Sequence, residues 1–511
     1  MLPRIRKNAS LTRNGREAKI PADTKAQHVG GEAVVFQSRV LAFLFVLSFV
    51  IPIAPSRAAD LSQDLTRLLE TSCLKKGEVG LRVTEISGGK ILFDAGGEKS
   101  LIPASNIKLV LAAAALSTLG PTYSYKTEIL SESPPSSTGV LNGNLYFKGY
   151  GDPVLVSEQL WLLVRELKRL GISEIRKDLI ADDSTMARDP LPYQWNLEEM
   201  SRAYTAKPGA LSLNFKSVQV TVAAAGKKGS PPRVRIDPDS THLEIDNKAT
   251  TESPGTGKPL SVQVLASGHR EILQIRGSVS LGAGPFTFYR SIDQAALYTA
   301  RVFAKFLEEA GISLKGVVRQ GTASPEARVL YTHRSKPLSL ILQDMNKWSN
   351  NFIAEQLLRT LGSELHGSPG TREKGLQVLQ DYLSRMGIPS GSYRLQDGSG
   401  LSRENRLSAA ALVSVLKSMA HDFSLQAEFT ASLGLWGLDG VVERRFSSSP
   451  ARGILRVKTG SLQGVKALSG YGRSKEGEVL AFSFLWNGSS CSPGDLDQVQ
   501  ARLGAILTGV R

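Results

Sequence analysis

Apolar and polar residues alternate in the first regular stretch of the chain. Residues 80–86 and 91–94 show this alternation on either side of the Gly-rich segment 87–90, which is typical of a β-hairpin. Residues 105–116 are strong helix formers that are apolar on nearly all sides, and Gly120-Pro121 follows them. This pattern predicts a helix buried in the middle of a domain.

Between about 130 and 330 the pattern changes to short strand-like runs between loops rich in Gly, Pro, Ser and Thr. We predict an amphipathic helix at about 157–170, an all-β stretch over about 212–290 and a further helix at about 292–311. The strand-like runs lie at 143–148, 218–222, 233–236 and 272–275.

The C-terminal part is helical in pattern to about 435 and then becomes strand-like. Strands are predicted at 453–457, 467–471 and 479–485, before a closing helix at about 494–508. Together with the hairpin they predict an α/β (α+β) fold, an antiparallel five-stranded sheet flanked by helices, with strands from both chain ends. The predicted division is a split main domain at 59–130 and 330–511, with two smaller, mostly-β inserted domains at 131–211 with 291–329 and at 212–290.

The first 58 residues are predicted to be a secretory signal peptide. Segment 40–53 carries no charge, is too short to span a bilayer comfortably, and is followed by small residues. We expect cleavage after Ala58 and a periplasmic mature protein. Because the preceding segment is long for a signal, a start near Val34 or Val35, or an uncleaved anchor with a cytoplasmic tail, stays open.

Charge and composition narrow the function classes. The formal net charge is +15; residues 1–58 hold nine Lys+Arg and three Asp+Glu, so +9 remains. This excess is modest and no basic run is interleaved with aromatics, which argues against nucleic acid; peripheral membrane association stays open. Two cysteines, and no His-Glu-x-x-His spacing, argue against a zinc site, and we expect no metal or cofactor. Export permits a Cys73–Cys491 disulfide, which the sequence leaves undecided.

Ser105-x-x-Lys108 supplies a candidate nucleophile with its base. On a helix the two side chains share one face, so Lys108 Nζ can reach Ser105 Oγ. A lysine in a poorly solvated, cation-rich site can lose its proton near neutral pH, and N–H groups at a helix start can stabilise an oxyanion. The same spacing begins at Ser72, Ser87 and Ser414, so a helix cap is the alternative.

Lys458-Thr459-Gly460 ends a predicted strand. Gly460 leaves room there for a ligand backbone to lie beside the strand edge. Lys458 and the hydroxyls of Thr459 and Ser461 can bind a carboxylate, although a plain strand end with a turn has the same pattern.

Ser349-Asn350-Asn351 lies between these two motifs. A hydroxyl and an amide two residues apart can relay a proton and hold a substrate carbonyl. The pattern also occurs at 212–214, and a helix N-cap is the alternative, so the order of the three motifs gives the set its weight.

The three motifs resemble those of the penicillin-interacting serine D,D-peptidases and serine β-lactamases. The surrounding sequence is similar to the class C low-molecular-mass penicillin-binding proteins, the D-alanyl-D-alanine carboxypeptidase/endopeptidase family, over essentially all of 65–508. Further matching stretches are 149–153, 397–403 with Asn405, Asp439-Gly440 with Arg444, and 458–471. The resemblance implies the transpeptidase/β-lactamase-like fold of the penicillin-binding proteins.

The resemblance also implies a role for each motif residue. It assigns catalysis to Ser105, Lys108, Ser349, Asn351 and Lys458, and substrate binding to Thr459, Gly460 and Ser461. Ser105 is then the acylated nucleophile, Lys108 its base, and the N–H groups of Ser105 and Ser461 the oxyanion hole. The implied reaction trims or cleaves cross-links of peptidoglycan stem peptides without a cofactor, and β-lactam antibiotics are covalent inhibitors.

Some interpretations stay open. Relatives often carry acidic residues in the insertion that contact the basic end of the peptide; Glu198 and Glu199 hold a similar position, with a solvated helix face as the alternative. The Asp397 loop is predicted to be a turn cluster rather than a catalytic element, with Ser408 capping the next helix. Two functional alternatives stay open: a serine β-lactamase, and a non-catalytic cell-wall-binding protein of the same fold. A class A β-lactamase needs a further glutamate to activate the deacylating water, and its usual pattern, Glu-x-x-x-Asn, is absent between 351 and 458.

Overall fold

The computed structural model describes residues 57–71, 73–187, 207–268 and 270–510. The segment predicted to be a signal peptide therefore lies outside the described residues, apart from Arg57 and Ala58, which begin the first helix. Among the described residues, no helix combines the length and the apolar character that a membrane span requires.

The elements fall into three consecutive groups along the chain. Before the insertion come α1 (Arg57–Leu69), β1 (Glu78–Glu85), β2 (Ile91–Ala95) and α2 (Ile107–Leu119). The insertion holds β3 (Lys126–Ser131), β4 (Val140–Leu141), β5 (Leu145–Gly149), α3 (Ser157–Arg169), β6 (Glu174–Ile175), β7 (Leu179–Asp182), β8 (Ser217–Ala223), β9 (Arg233–Asp237), β10 (Leu243–Asn247), β11 (Thr250–Glu252), β12 (Ser261–Ser267), β13 (Arg270–Arg276), β14 (Ser278–Ser280), β15 (Phe286–Ser291), α4 (Ala295–Glu309), β16 (Ser313–Leu314), β17 (Val318–Gln320) and β18 (Arg328–Arg334). After it come α5 (Leu338–Lys347), α6 (Asn351–His366), α7 (Arg372–Arg385), α8 (Ala409–His421), α9 (Gln426–Ser432), β19 (Gly434–Leu435), β20 (Arg456–Leu462), β21 (Val465–Arg473), β22 (Val479–Asn487) and α10 (Pro493–Thr508).

The main sheet has the strand order β19-β20-β21-β22-β1-β2, and all its pairs are antiparallel. It joins strands from both chain ends, as predicted, but it holds six strands rather than the predicted five. The strand that the prediction missed is β19, which has only two residues and therefore shows no alternating pattern. The strand predicted from 453 begins only at Arg456, since Gly453 has a φ of 79° and belongs to a turn.

The sheet is covered on both faces, because successive side chains of β21 and β22 point to opposite sides. On one face, Ala467 and Leu485 pack with α2 and α8. On the other, Leu468 and Phe484 pack with α1 and α10. α2 is buried from Ile107 to Leu116 and contacts α5, α6, α7 and α8, so the predicted central helix is confirmed.

The insertion builds its own sheets. β3 and β18 pair antiparallel at the edge of a five-stranded sheet, so the predicted limits at 130 and 330 both fall inside paired strands. Apolar residues from Ile129 to Ile312 form one continuous buried cluster, which joins this sheet with the short sheets of β8 to β15.

The two ends of the described chain are tied together. Cys73 and Cys491 form a disulfide between residues 418 positions apart in sequence. The bond decides the pairing that the sequence left open, and it lies in the layer of α1 and α10.

Candidate active site

Ser105 lies in a single 3₁₀ turn, Ala104–Asn106, directly before α2, so the α-helix begins two residues later than predicted. Ala104 has a φ of 46°, a conformation that a non-glycine residue keeps only where the surroundings enforce it. Two glycines allow the backbone around this turn to pack closely. A Cβ on Gly400 would lie 2.1 Å from Ala104 O, and a Cβ on Gly460 would lie 3.0 Å from Ser105 N. Gly460 therefore lets the serine turn approach β20 closely, and the room that the sequence predicts there for a ligand backbone stays a prediction.

Lys108 is fully buried on the first turn of α2. Its Nζ lies 2.9 Å from Ser105 Oγ and 2.8 Å from Asn351 Oδ1, and it also contacts the carbonyl oxygen of Ser399. Burial lowers the pKa of Lys108 from 10.5 to about 7, although the nearby carboxylates of Asp397 and Glu355 act in the opposite direction. An amine with this pKa is substantially neutral at physiological pH and can accept a proton from the hydroxyl beside it.

A second buried lysine lies on β20 and contacts the Ser349 motif. Lys458 Nζ is 2.9 Å from Ser349 Oγ and 2.6 Å from the carbonyl oxygen of Thr459. Burial, and then the positive charge of Lys108, lower the pKa of Lys458 well below its ordinary value. Asn350 is the residue that caps α6, by accepting the Ile353 N–H at 3.0 Å. The sequence analysis gave a helix N-cap as the alternative role of this motif, and that role falls to Asn350 alone. The side chains of Ser349 and Asn351 each contact a lysine instead.

The Lys-Thr-Gly motif lies inside β20 rather than at its end. On one side, Lys458 to Leu462 pair with β21. On the other side, β19 pairs only as far as Val457, and no other described strand pairs with this edge of the motif. Thr459 is buried and Ser461 is exposed. An extended peptide can therefore add to this edge of the sheet through backbone hydrogen bonds.

The Asp397 loop was predicted to be a turn cluster, and the hydrogen bonds confirm this. Asp397 accepts the N–H of Gly400 at 2.8 Å and of Ser402 at 2.7 Å. What the sequence did not indicate is that the loop presents the carbonyl oxygen of Ser399 to both Lys108 Nζ and Ser105 Oγ, the latter at 3.2 Å. A backbone carbonyl leaves no residue-type signal, so only its position in the fold identifies it.

Asn106 is another residue that the sequence analysis missed. Its buried side-chain amide contacts Ser469 Oγ at 2.7 Å and lies 3.0 Å from the carbonyl oxygen of Lys458. It therefore ties the serine turn to β20 and β21. A buried amide beside an otherwise apolar helix was the signal that could have indicated this contact.

Glu198 and Glu199, the glutamates considered for substrate contact, lie outside the described residues. The eight predicted motif residues are all described. Four of them form two hydroxyl–amine pairs around the start of α2, Ser105 with Lys108 and Ser349 with Lys458, and the Asn351 amide oxygen accepts from Lys108. The other three, Thr459, Gly460 and Ser461, follow on β20.

Comparison with known proteins identifies the family. Residues 61–509 match the D-Ala-D-Ala carboxypeptidase 3 (S13) family. The chain is 34% identical over 451 residues to a D-alanyl-D-alanine carboxypeptidase of an Actinomadura species, which covers 85% of this chain and 82% of that protein. It superposes on the crystal structure of penicillin-binding protein 4 of Haemophilus influenzae with a TM-score of 0.74 at 26% identity, over 87% of this chain and 97% of that one. A complex of that protein with a β-lactam matches with a TM-score of 0.69 at 26% identity, over 88% of this chain and 98% of that one.

These matches confirm the resemblance that the three motifs indicated, and the fold that it implied. The family match runs from α1 to α10 without a break. The chain belongs to the D-Ala-D-Ala carboxypeptidase 3 (S13) family, whose members are serine-type peptidases.

Proposed function

We propose that this protein is a penicillin-sensitive serine D-Ala-D-Ala carboxypeptidase/endopeptidase in which Ser105 forms the acyl-enzyme and Lys108 takes its proton. One observation carries the assignment: Ser105 Oγ lies 2.9 Å from a buried amine whose pKa is about 7. An ordinary surface lysine would be protonated at neutral pH and could not act as this base.

In this proposal the reaction has two stages, acylation of Ser105 and hydrolysis of the acyl ester. Ser105 Oγ bonds to the carbonyl carbon of the penultimate D-alanine while its proton moves to Lys108 Nζ. The N–H groups of Ser105 and Ser461 stabilise the oxyanion. When the C–N bond breaks, D-alanine or a cross-linked neighbour leaves as the amine, and the proton that Lys108 took passes to it through Ser349, which contacts Lys458. Water then hydrolyses the acyl ester, which restores Ser105 and releases the shortened stem peptide.

Substrate binding uses the edge of β20. The stem peptide extends along this edge, and Thr459, Gly460 and Ser461 hold its terminal carboxylate near the amine of Lys458. The support is that, among the described strands, none pairs with this edge beyond Val457.

Mass spectrometry after labelling with benzylpenicillin tests the nucleophile. The wild-type chain should carry one adduct, on the peptide that contains Ser105, and Ser105→Ala should carry none. Ser87→Ala is the matched control, because Ser87 has the same spacing to a lysine but is exposed and bonds Glu85 at 2.7 Å. An adduct that persists in Ser105→Ala would refute the assignment.

Two assays separate the alternatives. A β-lactamase would release the penicilloyl group rapidly, whereas a D,D-peptidase keeps it as a long-lived ester, so the decay time of the adduct discriminates between them. A non-catalytic cell-wall-binding protein would bind stem pentapeptide without releasing D-alanine. We expect a slow decay together with D-alanine release that Ser105→Ala abolishes.

Export to the periplasm, with cleavage after Ala58, is part of the same proposal. The Cys73–Cys491 disulfide supports it, because such bonds persist in oxidising compartments. The N-terminal mass of the chain from a periplasmic fraction tests it: a mature chain should begin at Ala59. Peripheral membrane association is tested by washing membranes with high salt. We also propose that the inserted domains, 131–211 with 291–329 and 212–290, help to receive a polymeric substrate.

A further inference from the structure

A buried carboxylate lies behind the lysine pair, in a position that the three motifs do not include. Glu355 is one turn after Asn351 on α6 and is 1% exposed. Its Oε1 accepts the N–H of Gly398 at 2.9 Å and of Ser399 at 2.8 Å. Its Oε2 lies 3.2 Å from Arg359 Nη1. Since both oxygens face hydrogen-bond donors, the geometry fits the ionised carboxylate.

The contacts of Glu355 fix the loop that touches the reacting atoms. Glu355 holds the N–H groups of Gly398 and Ser399, and Asp397 holds the next one, that of Gly400. With three successive amides bound, the carbonyl of Ser399 has one direction available. That carbonyl oxygen accepts from Lys108 Nζ and from the Ser105 hydroxyl.

Glu355 also contributes to the electrostatics of the amine. Charged groups face Lys108 from three elements: Glu355 from α6 and Asp397 from its loop, which raise the pKa of Lys108, and Lys458 from β20, which has the same sign as Lys108. Glu355 is itself faced by Asp397 and by Arg359. Burial, and then Asp397, raise the pKa of Glu355, while Arg359 and the amide donors oppose that rise.

We propose that Glu355 is a positioning residue for acylation: it aims the Ser399 carbonyl that holds Lys108 Nζ beside Ser105 Oγ, and it places a negative charge near that amine. This inference rests on the proposed function, in which Lys108 is the base. Glu355 does not touch substrate, so it acts only through the loop and through its charge.

The test measures the rate of acylation by benzylpenicillin from about pH 5 to about pH 9 in the full chain. Glu355→Gln removes a negative charge, and this loss lowers the pKa of Lys108. The acidic limb of the profile, where the rate falls because Lys108 becomes protonated, should therefore move to lower pH by about one unit. The maximal rate should change little in Glu355→Gln, because the amide oxygen of a glutamine can still accept the N–H groups of Gly398 and Ser399 and keep the carbonyl fixed. Glu355→Asp keeps the charge with a shorter reach, so it should lower the maximal rate by about ten- to a hundredfold without moving the acidic limb of the pH profile.

Glu355→Gln leaves Arg359 buried without its carboxylate, which can prevent folding. The double variant Glu355→Gln/Arg359→Gln avoids this charge, and it should show the same shift. Glu271→Gln is the matched control: Glu271 is equally buried and also accepts two successive backbone N–H groups, but lies in the insertion. That control should leave both limb and rate unchanged.

The outcomes separate this inference from the proposal on which it rests. The role of Glu355 would be overturned if the acidic limb of the pH profile stayed in place in folded Glu355→Gln or in the double variant. It would also be overturned if the acylation rate of Glu355→Asp fell only in proportion to the fraction of unfolded protein. Penicillin labelling that survives in Ser105→Ala would instead overturn the proposed function. Loss of labelling in Ser105→Ala together with an unmoved limb in Glu355→Gln would leave the function standing without this inference.

Discussion

Two buried carboxylates, Glu355 in the main domain and Glu271 in the insertion, have closely similar local settings. Each accepts two successive backbone N–H groups. Each also faces a buried nitrogen group, which is Arg359 at 3.2 Å from Glu355 and His242 at 3.1 Å from Glu271. Judged by burial and pairing alone, the two regions are equivalent.

The difference lies in what each carboxylate holds. The amides bound by Glu271, those of Asp293 and Gln294, lead directly into α4, and the other ring nitrogen of His242 contacts Arg301 at 3.0 Å. That cluster connects elements of the insertion to each other. The amides bound by Glu355 belong to a loop whose carbonyl meets a serine and a lysine. A buried charge is therefore functional here because of the loop that it orients.

The largest expected effect comes from removing the amine of Lys108, which lies beside Ser105. Lys108→Met keeps the volume of a buried side chain but has no base, so acylation by penicillin should slow by about 10²–10⁴-fold. Lys216→Met is the control, because Lys216 is a buried lysine of the insertion and burial lowers its pKa to about 8. Equal slowing in both variants would mean that the two regions are not functionally distinct.

The pH dependence sharpens the same contrast. Lys108 must be neutral to accept the serine proton, and its pKa is about 7. Below that value the neutral fraction falls about tenfold per pH unit, so the acylation rate should be about a hundredfold lower at about pH 5 than on the plateau. A rate that stays constant down to about pH 5 would show that no group with this pKa is needed.

The disulfide extends the comparison to a third region, the layer of α1 and α10 on the main sheet. Cys73→Ser/Cys491→Ser removes a link between distant parts of the chain, and it should lower the free energy of unfolding by about 2–4 kcal/mol. The bond lies in the layer of α1 and α10, on the opposite face from α2, so the acylation rate of the folded protein should not change. Urea unfolding and penicillin labelling of the same samples measure both quantities, and a slower acylation would contradict this separation.

The smallest expected effect is that of Glu271→Gln. It weakens the contact with His242, but the glutamine side chain is neutral and so adds no unpaired charge to the buried site. We therefore expect a loss of about 1–3 kcal/mol in the free energy of unfolding. Acylation should be unaffected. A changed acylation rate at full folding would show that the insertion cluster reaches the active site.

Elements with a strong local period could be predicted from the sequence. The hairpin of β1 and β2, the buried α2, the strands β21 and β22 and the closing α10 lie close to their predicted limits. Two-residue strands such as β19 have no measurable period. The early start predicted for β20 came from an apolar run that includes the turn residue Gly453.

The site divides in the same way. Side chains that carry the chemistry, such as Ser105 and Lys458, could be proposed from residue type and spacing. Their supports could not, because the Ser399 carbonyl has no side-chain signature and because Glu355 meets its loop only across more than forty positions of sequence. Asn106 and Glu355 are polar residues within apolar surroundings, which was the available signal.

The most direct test of the central claim is the titration of Lys108 itself, followed by NMR with lysine labelled by ¹³C at Cε. The signal that disappears in Lys108→Met should titrate near pH 7 in the wild-type chain, well below the ordinary lysine value of 10.5. A signal that disappears in Lys108→Met but titrates near the ordinary value would mean that the amine is protonated beside Ser105, and the proposed base would have to be another group.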